Sequence, residues 1–251
     1  MSKIKLLSVI VPAYNEENSI SKTLAIVASV APLKEIIVVN DASTDKTGLI
    51  LENLKRDWGD YRNYPFLERL IVVNKEVNEG KGSAIRAALP LVAGDVVLIQ
   101  DADLELDPRE YPNLLEPFDK LDADVVFGSR FRREGIIRVH GTTHFLGNKF
   151  LTWVSNFLTG LYLTDMETGY KVFSKEIAKS LKIKSNRFGI DPELTAKISK
   201  LVKKRALSFY EVPVSYRPRT RAEGKKLKAI KDGLVVLASI FYFNIFDGTK
   251  T

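Results

Sequence analysis

The chain has 251 residues, 45% of them hydrophobic, and no cysteine; it can bury a full core, and it has no thiols for a disulfide framework or a thiolate metal site. A formal charge of +7 and a pI of about 9.3 suit anionic partners: nucleotides, phosphates, lipid headgroups or nucleic acid. No stretch approaches the roughly 18–20 unbroken apolar residues of a membrane-spanning helix, since the best candidate, Leu234 to Phe246, contains Ser239 and Asn244. With no secretory leader either, the expected compartment is the cytoplasm.

Leu6 to Val11 reads as a strand, ended by the turn Pro12-Ala13-Tyr14-Asn15-Glu16-Glu17-Asn18. A helix over Ser19 to Val30 places Ile20, Leu24, Val27 and Ala28 on one face. Glu35 to Val39 is a second strand, closed by Asn40-Asp41-Ala42-Ser43-Thr44-Asp45, where Thr44 or Asp45 caps the helix through Leu49, Ile50 and Leu54. Leu70 to Val73 is a third; Asn78-Glu79-Gly80-Lys81-Gly82 follows it and leads into a helix through Ala84, Ile85, Ala88 and Leu89. Val96 to Ile99 and Asp124 to Phe127 are the fourth and fifth strands. Strands alternating with helices at this spacing predict an α/β fold, a single mostly parallel sheet flanked by helices. Function in such a sheet sits outside the carboxyl ends of the strands. Beyond Gly128-Ser129-Arg130 the sequence predicts a basic loop to Gly141 and a helix with an apolar stripe from Thr143 to Leu163. It then predicts a short strand Lys171–Phe173, a helix Pro192–Val202 introduced by Asp191, a strand Tyr210–Tyr216, a basic stretch Arg217–Lys231 and an apolar helix Gly233–Phe246. The expected organisation is a catalytic domain over residues 1–232 and a C-terminal apolar helix over 233–251, with a membrane surface as one candidate contact.

The strand Val97-Leu98-Ile99 leads into Asp101, Asp103 and Glu105, which alternate with Ala102 and Leu104. If the extended conformation continues, this spacing puts all three carboxylates on one face, where they repel one another. A hard divalent cation with oxygen ligands, Mg²⁺ or Mn²⁺ bridging to a substrate phosphate, removes that penalty. Lys81, in its glycine turn, lets backbone and ammonium approach the same ligand. The chain lacks the P-loop pattern around Lys81 and has no Gly-x-Gly-x-x-Gly after its first strand, which disfavours an NTPase and a dehydrogenase.

Pro12-Ala13-Tyr14-Asn15-Glu16, Val39 to Asp45, Asn78 to Gly82, Asp101-Ala102-Asp103 and Gly128-Ser129-Arg130 occur in an order and spacing that resembles the family 2 glycosyltransferases. Asp165-Met166-Glu167-Thr168-Gly169-Tyr170-Lys171-Val172-Phe173 is similar to the dolichyl-phosphate mannose/glucose synthase subgroup. The resemblance covers roughly residues 6–230. It implies a GT-A (nucleotide-diphospho-sugar transferase) fold, a nucleotide-sugar donor (UDP-glucose or GDP-mannose), a divalent metal, and transfer of hexose with inversion to a polyprenyl phosphate. Carried over, Pro12, Ala13, Tyr14, Glu16 and Asp41 hold base and ribose. Lys81, Asp101 and Ala102 border the donor. Asp103 ligates the metal on the diphosphate, with Asp101 and Glu105 as further ligands, although mannose synthases of this kind have Gln where this chain has Glu105. Arg130 meets the donor or leaving phosphate, and Arg219, Arg221 and Lys225 close over the diphosphate. A phosphate acceptor needs no general base; for a hydroxyl acceptor the resemblance leaves Asp165 and Asp191 as available carboxylates. The positions that hold the acceptor phosphate in lipid-linked mannose synthases, an Arg and a Ser, are His140 and His144 here. The likeness of Asn78–Gly82 to glucose-transferring relatives gives UDP a slight edge.

The expected setting is a peripheral enzyme at the cytoplasmic membrane face, touching lipid or a membrane partner protein through the stripe around Trp153 and Phe157 or through Leu234–Phe246. The alternatives are a soluble sugar or phosphorylated small-molecule acceptor, and a catalytically silent nucleotide-sugar-binding module. A nucleic-acid partner is not expected, because the basic residues lack interleaved aromatics and a recognition-helix pattern.

Overall fold

The computed structural model describes residues 3–58, 64–132, 142–219 and 229–248. Strand β1 (Leu7–Ala13) is apolar on both faces and lies between β2 (Lys34–Asn40) and β4 (Val96–Ile99), parallel to both. That pattern belongs to a strand covered on two sides. β3 (Leu67–Asn74), β5 (Val125–Ser129), β6 (Lys171–Ser174) and β7 (Phe209–Pro213) complete a seven-stranded sheet in the order β3-β2-β1-β4-β6-β5-β7. Alternate residues face opposite layers. Val9 and Val11 pack against α1 (Ile20–Ser29), α2 (Thr47–Asp57) and α4 (Tyr111–Lys120), while Ile10 faces α3 (Lys81–Ala88), α6 (Lys175–Ser180) and α7 (Ile190–Arg205).

β6 is the departure from the parallel series, running antiparallel to both β4 and β5. Its direction has a functional consequence. An antiparallel strand starts where its parallel neighbours end, so the turn 165–170 before β6 is delivered to the edge formed by the ends of β4 and β5.

A smaller apolar cluster joins α5 (Thr142–Thr159) to α8 (Ala229–Phe241) through Val154, Met166, Val236 and Ile240. α8 begins before the expected boundary at 233, and a π-helical turn, Tyr242–Phe246, follows it. The apolar stripe of α5 divides between two faces. Leu151, Val154 and Leu158 pack inward, whereas Leu146, Phe150, Trp153 and Phe157 face solvent. Among the described residues no helix is long and apolar enough to cross a membrane.

Candidate active site

The loops after β1 and β2 are stitched to each other. Asn15 N–H donates to Ser43 Oγ at 3.0 Å, Thr44 N–H donates to Asn15 Oδ1 at 2.8 Å, and Glu16 N–H donates to Thr47 Oγ1 at 2.8 Å. Pro12 and Ala13 are the last residues of β1, and Tyr14 and Glu16 stand half-buried just beyond. The loops after β1, β2 and β4 each contain one left-handed residue, Asn15, Ala42 and Leu104, with φ of 51°, 57° and 58°. For Ala and Leu this backbone is strained, and such strain collects where a ligand is held.

Asp41 is buried and accepts three hydrogen bonds: from Gly80 N–H at 2.6 Å, Glu79 N–H at 3.3 Å and Lys75 Nζ at 2.6 Å. It therefore fixes the glycine turn as well as standing at the predicted base and ribose position. Gly80 adopts φ +107°, which a side chain resists. Lys75, which neutralises Asp41, was not singled out by sequence reasoning, because nothing in Val73-Asn74-Lys75-Glu76 distinguishes it from a solvated lysine.

At the β4 edge, Gln100 is buried and its Oε1 accepts from the hydroxyls of Tyr111 and Tyr170 at 2.8 and 2.9 Å. Its Nε2 donates to the Asp101 carbonyl at 2.9 Å, which anchors the backbone that carries the carboxylates. Burial pushes both tyrosine hydroxyls well above their usual pKa, so they remain protonated donors. Asp101 pairs with Lys81 Nζ at 2.7 Å. A Cβ on Gly169 would stand 2.4 Å from Asp101 Oδ2, so only glycine lets the 165–170 turn approach this closely. Ala102 is buried, its carbonyl accepting from Thr23 Oγ1 at 2.9 Å.

The expected face of three carboxylates does not form. β4 ends at Ile99 and Leu104 is left-handed; Asp101 pairs with Lys81, while Asp103 and Glu105 meet different groups of Arg219. Asp103 meets Arg219 at 3.3 Å, and Arg219 also donates to Glu16 Oε2 at 2.8 Å; Glu105 Oε1 instead accepts the Arg219 N–H at 2.9 Å. Among the described residues no three acidic or histidine side chains cluster to hold a metal alone. The donor set still fits a hard cation, because Mg²⁺-type ions are commonly held by one or two carboxylates with phosphate oxygens completing the shell. Asp101 and Asp103 are the partly exposed pair able to serve, with Arg219 and Lys81 balancing their charge meanwhile.

Arg130 follows β5 and meets Asp165 from the turn before β6. Its Nε and NH2 donate to the two carboxylate oxygens at 2.7 and 2.8 Å, and its backbone N–H donates to Oδ2 at 3.1 Å. The guanidinium also lies over the Tyr216 and Phe131 rings. Asp165 is fully buried with both oxygens engaged. It orients Arg130 and has no open face for taking a proton from a hydroxyl.

Asp191, in the first turn of α7, pairs with Lys171 Nζ at 2.6 Å. Burial works to raise Asp191, but Lys171 and Lys81 outweigh it and hold the carboxyl below its usual range. Glu167, half-buried in the turn 165–170, feels the charges of both this pair and Arg130–Asp165. Burial and then the charge of Asp191 push it up to about 8, against Lys171 and Arg130. Sequence reasoning gave Glu167 no role, since a glutamate in a turn carries no signal of being enclosed. His140, Arg221 and Lys225 lie outside the described residues; His144 falls in the first turn of α5, its side chain outside the description.

A family profile described as Glycosyl transferase family 2 matches residues 8–181. An undecaprenyl-phosphate mannosyltransferase of Micrococcus luteus is 30% identical over 239 residues, covering 90% of each chain. A UDP-N-acetylglucosamine–dolichyl-phosphate N-acetylglucosaminyltransferase of Methanococcus voltae is 28% identical, covering 84% of this chain and 85% of its own. Among solved structures, glucosyl-3-phosphoglycerate synthase from Mycobacterium tuberculosis, in complex with Mn²⁺, UDP and glucosyl-3-phosphoglycerate, superposes with a TM-score of 0.65 at 20% identity. That match covers 96% of this chain and 80% of the other. The fold is thus the expected GT-A fold.

Proposed function

The chain belongs to the glycosyl transferases of family 2, and from that premise we propose that it moves a hexose from a nucleotide-sugar to a polyprenyl phosphate, with a divalent metal and with inversion at the anomeric carbon. The observation that carries this reading is the convergence of Asp101, Asp103, Lys81 and Arg219 on one sheet edge, beside the stitched loops of β1 and β2, with Arg130 following β5. Nucleoside and diphosphate fit such an edge, the base toward Tyr14 and Asp41 and the phosphates toward the cations. UDP-glucose is the donor favoured by the Asn78–Gly82 turn, and GDP-mannose is its competitor.

Asp103 and Asp101 would hold Mg²⁺ or Mn²⁺, which supplies positive charge for the diphosphate as it leaves. Arg219, paired with Asp103, would meet the same oxygens, and Arg130, fixed by Asp165, would present a second rigid cation to a phosphate. An acceptor phosphate is ionised at neutral pH and attacks without a general base, which agrees with Asp165 being engaged with Arg130. Relatives are named for undecaprenyl and dolichyl phosphate acceptors, which supports a lipid acceptor here.

The assay is transfer of radiolabel from UDP-glucose and GDP-mannose to added polyprenyl phosphate, with Mn²⁺ or Mg²⁺, followed by organic extraction. Metal-dependent label in the organic phase is the expected result. Label confined to water, in a product or as free sugar, would replace the lipid acceptor by a soluble one.

The outer stripe of α5 fits a membrane-proximal enzyme. Phe150, Trp153 and Phe157 are stacked in series, with Trp153 65% and Phe157 79% exposed. The chain's other tryptophan, Trp58, is buried, so emission from the exposed indole reports Trp153. Vesicles containing phosphatidylglycerol are expected to shift that emission to the blue. The double variant Trp153→Ser with Phe157→Ser is expected to lose vesicle binding at least about tenfold in cosedimentation, given the apolar area withdrawn from lipid. Equal sedimentation of variant and wild type would remove α5 from the membrane contact.

A further inference from the structure

Glu167 is a carboxylate at this edge that the ion pairs among the described residues leave unmatched. Arg130 is matched by Asp165, Lys171 by Asp191 and Lys81 by Asp101. These groups, on the segments after β5 and β4, on β6, α7 and α3, are the charged neighbours Glu167 faces: the fields of Arg130, Lys171, Asp165 and Asp191 act on it, and its own field acts on Lys81. Its Oε1 is sealed from solvent and has no hydrogen-bond partner among the described residues. A buried polar oxygen without a partner is costly, and in folded proteins such an oxygen is generally met by water, an ion or a ligand.

The chemistry of that ligand follows from the charges. Lys81, Arg130 and Arg219 draw a phosphate to themselves, and a carboxyl at 167, protonated or not, adds no positive charge for it. The neutral part of a donor is left to Glu167, and each hydroxyl there both donates and accepts. We propose that Glu167 is a specificity-determining residue that hydrogen-bonds a hydroxyl of the hexose being transferred, an inference that rests on the nucleotide-sugar donor reading above. Because burial and Asp191 push Glu167 up to about 8, it carries a proton at neutral pH and matches a hydroxyl in both senses. Glutamine at 167 preserves donor and acceptor; leucine keeps the bulk and removes both.

The test is calorimetric titration of the full chain, in Mn²⁺, with UDP-glucose and GDP-mannose and separately with UDP and GDP. Glu167→Leu is expected to weaken the preferred nucleotide-sugar about tenfold while leaving the matching diphosphate unchanged, and Glu167→Gln to restore most of the loss. From pH 7 to 9 the wild type is expected to lose affinity for the nucleotide-sugar relative to the diphosphate, and Glu167→Gln to keep it. Equal binding of the nucleotide-sugar by Glu167→Leu and wild type, or equal loss of both ligands, would overturn the assignment. Should Glu167→Leu not fold, the pH comparison decides alone, and a Glu167→Gln profile that follows the wild type overturns it. A wild type that binds neither nucleotide-sugar overturns the donor reading together with this inference, an outcome distinct from failure of the variant alone.

Discussion

Asp103→Ala is expected to lower sugar transfer at least about a hundredfold with the fold intact, because the change removes a group that matters to the leaving diphosphate and little to the core. The Asp103 side chain is 26% exposed, and its contacts are Arg219 at 3.3 Å and the N–H of Glu105 in its own turn at 3.1 Å. Neither is a buried pair, so the stability change should stay within about 1 kcal/mol. Arg219 keeps its bond to Glu16 and its backbone bond to Glu105, which hold Arg219 in place after the substitution. The measurement has two parts: turnover in the transfer assay, and calorimetric binding of the nucleoside diphosphate with and without Mn²⁺. Wild type should bind more tightly with metal, and Asp103→Ala should lose that increment while retaining metal-free binding. Near-normal turnover in the variant would remove Asp103 from the metal assignment.

The strands that carry the site were legible because each is an apolar run cut off by polar or glycine residues, as in Val96 to Ile99 before Gln100 and Leu7 to Val11 before Tyr14. Direction was not legible for β6. Lys171 to Ser174 offers four residues, and neither composition nor length states whether such a strand runs with its neighbours or against them. That one orientation brings Asp165, Glu167 and Gly169 to the site. The failure of the extended carboxylate face has a similar origin: a leucine gives no sign of a left-handed backbone, and Leu104 adopts one under the constraint of the surrounding loops.

Site residues separate along the same line. Asp41, Asp101, Asp103 and Arg130 stood in motifs and follow strands β2, β4 and β5, and Lys81 opens α3. Lys75 and Gln100 act through partners distant in sequence, Asp41 for the first and Tyr170 for the second. Pairings across a sheet leave no trace in local spacing. The stripe of α5 was visible as a period, but only the packing of Val154 against Val236 and Ile240 decides which face turns inward and which aromatics remain exposed.

Asp165→Ala is expected to cost about 3–5 kcal/mol and to abolish transfer, since it leaves the Arg130 guanidinium enclosed without its carboxylate. The pair is nearly sealed, with side-chain exposures of 10% for Arg130 and 0% for Asp165. The turn is held from behind by Glu211, whose carboxylate accepts from the N–H groups of Thr164 and Asp165 at 2.9 and 3.1 Å. Loss of stability and loss of the proposed phosphate contact are therefore coupled in the single variant, and a double substitution separates them. Arg130→Met combined with Asp165→Leu replaces both charges by apolar groups of similar volume, which removes the desolvation penalty along with the attraction. Urea midpoints should recover most of the single variant's loss, while transfer stays absent because the cation for the phosphate is gone. Recovery of transfer in the double variant would show that the ion pair only supports the fold. Asp165→Asn that kept stability and donor KM while losing kcat would restore the role of proton acceptor to Asp165.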